Sequence, residues 1–354
     1  MEPFQRKSFI PHLLATGVGS LPHADVGKAC ALIARTLPRT PFWPQLPKQS
    51  PLESMNVQVS PGLPFLKVDE KKGEVHFDVT LDEAAELERV YQAYLSGKIE
   101  DYGFPPRYAG GFEGMMQYLK EKEKSTLQFF KGQVVGPFTF GLSIQDGQKR
   151  DVIHNEMVFD ALLKGLILRG RWIIQRMKTV CPKVILFLDE PGLSGYGSAF
   201  FSVDEETITH RLNEVIEDFQ AQGVLVGVHC CGNTDWSLLL KTKADIVNFD
   251  AWGFFDRFSL YLEEIKGFLS REGILAWGIV PTSEFTGKET VNWLREKLED
   301  EFGELSRKGI PEKMIRERAL LTSSCGMGLM SLEDTEKAMT LLSQLSEQLR
   351  KKYL

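Results

Sequence analysis

The stretch GVLVGVHCCGN, residues 223–233, is an apolar run that stops on one histidine and two cysteines. Val224, Leu225, Val226 and Val228 give it the composition of a strand buried on both faces, as in parallel sheets. In a strand, successive side chains point to opposite faces, so His229 and Cys231 project together while Cys230 turns away. The residues before it, from "SVDEETITHRL" onward, read as a helix over 205–221 with acidic residues in its first turn, where the macrodipole favours them.

The same alternation of apolar run and helical segment extends along the chain. Further runs bounded by Gly or Pro are "ATGVGS" (15–20), "QVVGPFTF" (133–140), "VILFLDE" (184–190), "IVNFD" (246–250), "ILAWGIV" (274–280) and "LLTSSCG" (320–326), with a weaker one near "RYAGG" (107–111). Helical periodicity fills 24–36, 80–95, 112–123, 152–179, 205–221, 258–270, 287–308 and 331–350. Eight β-then-α units predict an α/β chain folded as a (β/α)8 TIM barrel, and neither a G-x-G-x-x-G turn nor a phosphate-binding P-loop argues for an open doubly wound sheet. Residues 37–79 break the repeat: seven prolines and several aromatics predict an ordered insertion after the first unit, with a hairpin around "KVDEKKGEVHFD". Phe42, Trp43 and Phe65 make it either a lid over the site or packing beneath the barrel, and the expected organisation is a single barrel over 1–354 carrying this excursion.

A chain of 354 residues with 43% hydrophobic content is long enough to bury a full core. Its formal charge of -6 argues against nucleic acid as a partner, and no apolar run approaches the roughly 20 residues that span a bilayer. The N-terminus lacks the pattern of a secretory signal, so the expected location is cytoplasmic. Five cysteines, an odd number, make a poor disulfide framework and suit core packing or metal.

Barrel active sites collect residues from the carboxyl ends of different strands. There the sequence offers His229, Cys231, Asp250 and Cys325, the His, Cys and carboxylate donors that zinc takes three or four at a time. Asp250 has two alternatives, capping the following helix or binding substrate. Cys30, Cys181 and Cys230 read as small buried hydrophobes. Asp189 and Glu190 end an apolar run, where a charge is costly unless it pairs or binds something. Ser20, beside Gly19 in a glycine-flanked turn, can offer its hydroxyl and backbone N–H to a carboxylate.

Together these pieces resemble the catalytic barrel of the cobalamin-independent methionine synthase family, related in fold to uroporphyrinogen decarboxylase. "TGVGSLPH", "VVGPFTF", "FLDEPGL", "HCC", "NFDA" and "SSCGMG" run in the family's order along nearly the whole chain. The resemblance implies that His229, Cys231 and Cys325 bind zinc, with Asp250 where the family has a glutamate ligand. It implies that Asp189 holds the substrate amino group, that Ser20 and Gly19 hold its carboxylate, and that Glu190 lies beside them. The family's second-strand glutamate has no clear counterpart, Glu113 being a loose candidate, and 354 residues are expected to hold one barrel, where the family's enzymes use a second for polyglutamyl folate. The expected activity is methyl transfer to a thiol, homocysteine first. The expected donor is a methylcorrinoid, free or on a partner protein, ahead of methylfolate. The alternatives are a barrel that captures a thiol or corrinoid without turnover and a metal-free decarboxylase.

Overall fold

The computed structural model describes residues 9–121, 126–198 and 201–354. A small antiparallel hairpin, β1 (Leu66–Asp69) and β2 (Glu74–Phe77), forms where the sequence predicts one. Six further strands pair parallel in chain order: β3 (Phe130–Val135), β4 (Val184–Asp189), β5 (Leu225–Cys230), β6 (Ile246–Phe249), β7 (Ile274–Val280) and β8 (Ala319–Ser323). The helices are α1 (Val26–Thr36), α2 (Met55–Val59), α3 (Glu83–Ser96), α4 (Gly110–Glu121), α5 (Pro137–Ser143), α6 (Glu156–Lys178) and α7 (Glu205–Ala221). They continue with α8 (Trp236–Lys241), α9 (Ala251–Phe258), α10 (Leu262–Ser270), α11 (Val291–Arg307), α12 (Glu312–Glu317) and α13 (Leu332–Tyr353).

Alternation along the strands builds two cores. Ile185 and Phe187 of β4, Leu225 of β5, Ile246 of β6, Ile274 and Ala276 of β7 and Leu320 of β8 pack together with Phe9, Leu14 and Phe129 on the concave face of the curled sheet. Their neighbours Val184, Leu186, Val226, Val228, Val247 and Phe249 belong to the larger core shared with the helices. Every residue of these strands is buried, which is why they read as continuous apolar runs and not as alternating ones.

Beyond the six strands, two short segments hydrogen-bond to the sheet's edges. Leu13 and Thr16 N–H groups donate to Ala319 and Leu321 of β8, at 2.8 and 3.0 Å. Trp43 N–H donates to Lys131 of β3 at 3.2 Å, and Lys131 N–H to Pro41 at 2.9 Å. The two segments meet where Leu21 N–H donates to Gln45 and Gln45 N–H donates to Gly19, at 2.9 and 3.1 Å.

Three sequence expectations are corrected here. The run at 15–20 makes isolated bridges instead of a regular strand. Residues 107–111 are no strand: Pro106 opens a short 3-10 turn to Tyr108, and α4 begins at Gly110. The run at 133–140 is strand only to Val135, because Pro137 cannot donate to a ladder and instead occupies the first turn of α5. In the proline-rich excursion, Phe42, Trp43 and Phe65 belong to the main core, so these rings pack the interior.

Candidate metal centre

β5 delivers the first donor. His229 lies in register between Asp189 of β4 and Asn248 of β6 and is 2% exposed. Cys230, one residue on, points the other way into the helix-side core, where burial pushes its thiol up to about 12. Cys231 returns to the concave side. β8 ends at Ser323, whose hydroxyl donates to the Cys325 carbonyl at 2.7 Å and so shapes the turn that presents Cys325. One ligand atom each from His229, Cys231 and Cys325 lies within 4.8 Å of the others. Cys30 and Cys181 stay in the core, as the sequence predicts.

The orientation of the imidazole is set from behind. Asn248 uses its amide N–H bonds on the Ala276 carbonyl and Thr322 Oγ1, at 2.8 and 2.9 Å. Its oxygen therefore faces His229 Nδ1 at 2.7 Å, which makes Nδ1 the donor and, in the neutral ring, leaves the lone pair on Nε2. Metal-ligating histidines are held this way. The two sulfurs are unequal. A hydrogen bond from Cys231, joined by one from His229, brings the Cys325 thiol down to about 4 against the opposing effect of burial. The same hydrogen bond, with burial, pushes Cys231 up. For His229 burial favours the neutral ring, but the hydrogen bond to Cys325 and the charges of Asp189 and Cys325 outweigh it and the net shift is upward.

Asp189 closes β4 beside this group and is 7% exposed, with its Oδ1 buried and unpartnered. Burial raises its carboxyl to about 6, while Lys131 and His229 act in the opposite direction. Ser20 also reaches the site's edge: its Oγ accepts from Gly328 N–H at 3.3 Å and its carbonyl from Met327 N–H at 2.9 Å, in the loop that follows Cys325.

The other candidates have different employment. Asp250 is not among the gathered ligand atoms; it caps α9, its Oδ1 accepting from Gly253 N–H at 2.8 Å, which is the alternative the sequence left open. It remains within electrostatic reach of Cys325 and His229, and burial raises it to about 6. Glu190 spends both oxygens on the start of α5, accepting from Phe138 N–H at 3.0 Å and from Thr139 N–H and Oγ1 at 2.7 Å each. That arrangement neutralises unpaired donors at a helix N-terminus and leaves no free carboxylate for a ligand. Glu113 pairs with Arg176 at 2.8 Å and is 45% exposed, so it ties α4 to α6. Sequence reasoning missed two buried groups. Lys131 is fully buried on β3, and Glu53, also fully buried, accepts from Gly111 N–H at 3.1 Å at the start of α4. Lys131 had a legible signal, a lysine inside the apolar run "FFKGQVV"; Glu53 sits in an irregular segment that gave none.

No protein-family model and no curated protein matches the chain. Among solved structures it is similar to a B12-independent methionine synthase from Shewanella sp. W3-18-1 in complex with selenomethionine: 18% identity, TM-score 0.48, over 67% of this chain and 66% of that one. The match thus spans just under two thirds of that enzyme chain. It is also similar to the tandem GH20 catalytic modules of the pneumococcal exo-β-D-N-acetylglucosaminidase StrH: 10% identity, TM-score 0.44, over 94% of this chain and 85% of that one. Likenesses this distant to two different enzymes leave function to be argued from the side chains. Among the described residues no helix is long and apolar enough to cross a membrane.

Proposed function

We propose that His229, Cys231 and Cys325 hold a zinc ion and that the protein transfers a methyl group to a thiol, homocysteine being the preferred acceptor. The observation that carries this reading is the convergence of one imidazole nitrogen and two sulfurs, from two well-separated strand ends, within 4.8 Å. The donor set is soft, mixed N and S, and its histidine has a lone pair directed by Asn248, which suits zinc over calcium or magnesium. Three protein donors are the number found in catalytic zinc sites, where a further position belongs to water or substrate. Zinc bound there would hold an incoming thiol as thiolate at neutral pH, where a free thiol of pKa about 8.5 is mostly protonated.

The chain's own groups supply the rest. The two cysteine sulfurs place negative charge around the site, which keeps a bound sulfur electron-rich for attack on a methyl carbon. Asp189, with an oxygen lacking any partner, receives the acceptor's ammonium group. The Ser20 turn receives its carboxylate. The backbone bridges of residues 13–16 to β8 and of 41–43 to β3, joined through Gly19 and Gln45, support closure of the six-stranded sheet into an eight-stave barrel. On this reading the chain is one barrel domain carrying the excursion of residues 37–79 after its first unit, and a methylcorrinoid, free or on a partner protein, or a methylfolate approaches the mouth.

The test is product formation. Zinc-loaded protein is incubated with homocysteine and either methylcobalamin or methyltetrahydrofolate, and methionine is measured by mass spectrometry. Methionine from one donor, lost in Cys325→Ser, supports the proposal and names the donor. Tight thiol binding with no product from either donor overturns it in favour of capture without turnover.

A further inference from the structure

Lys131 is a lysine with no exposed surface, standing inside the curl of the sheet. Its register partner is Ile185, a member of the apolar cluster on the concave face. Removing an ammonium group from water is costly unless it is well compensated. A methionine would fill the same space without that cost, so what the charge touches identifies its use.

Among the described residues no carboxylate lies within ion-pair distance of Lys131; burial lowers its ammonium to about 7, and Asp189, at longer range, acts to keep it charged. Its Nζ donates to the Val18 carbonyl and, at 3.0 Å, to Gln133 Oε1, and lies 4.5 Å from the centroid of the Phe187 ring. Gln133 in turn donates from Nε2 to the Trp43 carbonyl at 3.2 Å. The Val18–Ser20 turn rests directly on this pair: a Cβ on Gly19 would stand 2.9 Å from Gln133 Cδ and would have to displace that side chain. From the other side the turn is met by Met327 and Gly328, just after Cys325. Ser20 Oγ accepts from Gly328 N–H, and its own hydrogen is left to donate.

We propose that Lys131 is a positioning residue that clamps the Val18–Ser20 turn against the Cys325 loop and sets a positive charge behind it, so that this edge of the site selects thiols bearing a carboxylate. The choice of a thiol rests on the function proposed above; the clamp does not.

The experiment uses Lys131→Met in the full chain, loaded with cobalt(II) so that thiol binding is read from sulfur-to-metal charge-transfer absorption. Homocysteine is compared with its methyl ester, and hydrogen–deuterium exchange is followed over residues 17–21 and 184–189. The expected result is homocysteine binding weakened at least ten-fold, ester binding changed less than two-fold, unchanged metal content, and faster exchange confined to 17–21. Equal weakening of both thiols, or of neither, overturns the selectivity. Unchanged exchange at 17–21 overturns the clamp, whatever the thiols do. Faster exchange at 17–21 in a protein whose wild type binds no thiol sinks the methyl-transfer reading and leaves the clamp standing. Should Lys131→Met fail to fold, Lys131→Gln, which keeps a donor and drops the charge, carries the same measurements.

Discussion

The floor and the mouth of the sheet are built from the same strands a few residues apart. At the floor the concave positions are Ile185, Leu225, Ile246, Ile274 and Leu320; towards the carboxyl ends of the strands they become Asp189, His229, Asn248, Thr322 and Cys325. Both ends share one hydrogen-bonded ladder, so the apolar end fixes the polar end without touching it. On the proposed function, stability and chemistry are thereby separated along the strand axis. Mutations at the two ends should therefore separate as well.

The largest effect belongs to the floor. Leu225→Ala removes a side chain that is 1% exposed and should cost about 2–5 kcal/mol in urea denaturation, with the metal content of the folded fraction unchanged. Loss of metal in step with stability would dissolve the contrast between the ends.

Next comes the support of the mouth. Asn248→Leu removes the bond that aims His229 and should weaken metal binding about 10–100-fold in a chelator competition. An unchanged affinity would mean that the imidazole is held by something else.

The smallest effect sharpens the comparison with a buried polar group that belongs to neither end. Burial raises Glu53 to about 7, above the ordinary glutamate value of about 4.3, so the folded state holds its proton to higher pH than the unfolded state does. Folding stability then falls as pH rises through that interval. Glu53→Gln should lose this slope, gaining about 1–2 kcal/mol on wild type between about pH 5 and pH 6.5, with metal content unaffected. An identical pH profile in the two proteins would assign Glu53 an ionised state throughout.

The parts of the molecule that were legible in the sequence are those where one physical demand dominates. β4 to β8 lie between two apolar surfaces, so their composition announces them, and the H-x-C spacing follows from strand alternation alone. The sheet's edges were harder to read. Residues 13–16 make only three ladder bonds, just ahead of and overlapping the run read as a strand at 15–20, and 41–43 make two inside the proline-rich segment that read as an insertion. β3 was overextended because Phe138, Thr139 and Phe140 have strand composition, yet Pro137 turns them into a helix that Glu190 anchors. Asp250 and Glu190 were legible as strand-end acids. Whether such an acid faces a ligand or caps the next helix depends on the first-turn geometry of that helix, which composition does not carry. Lys131 went unread because a lysine in a strand suggests an exposed side chain, whereas this one, on the edge strand of the sheet, is fully buried.

Elemental analysis of protein purified without added metal tests the central claim most directly, run on wild type, Cys325→Ser and the core control Cys181→Ser. The account predicts about one zinc per chain in wild type and in Cys181→Ser, as three-donor sites hold, and almost none in Cys325→Ser. A wild-type protein free of zinc, or equal zinc in all three, would contradict it.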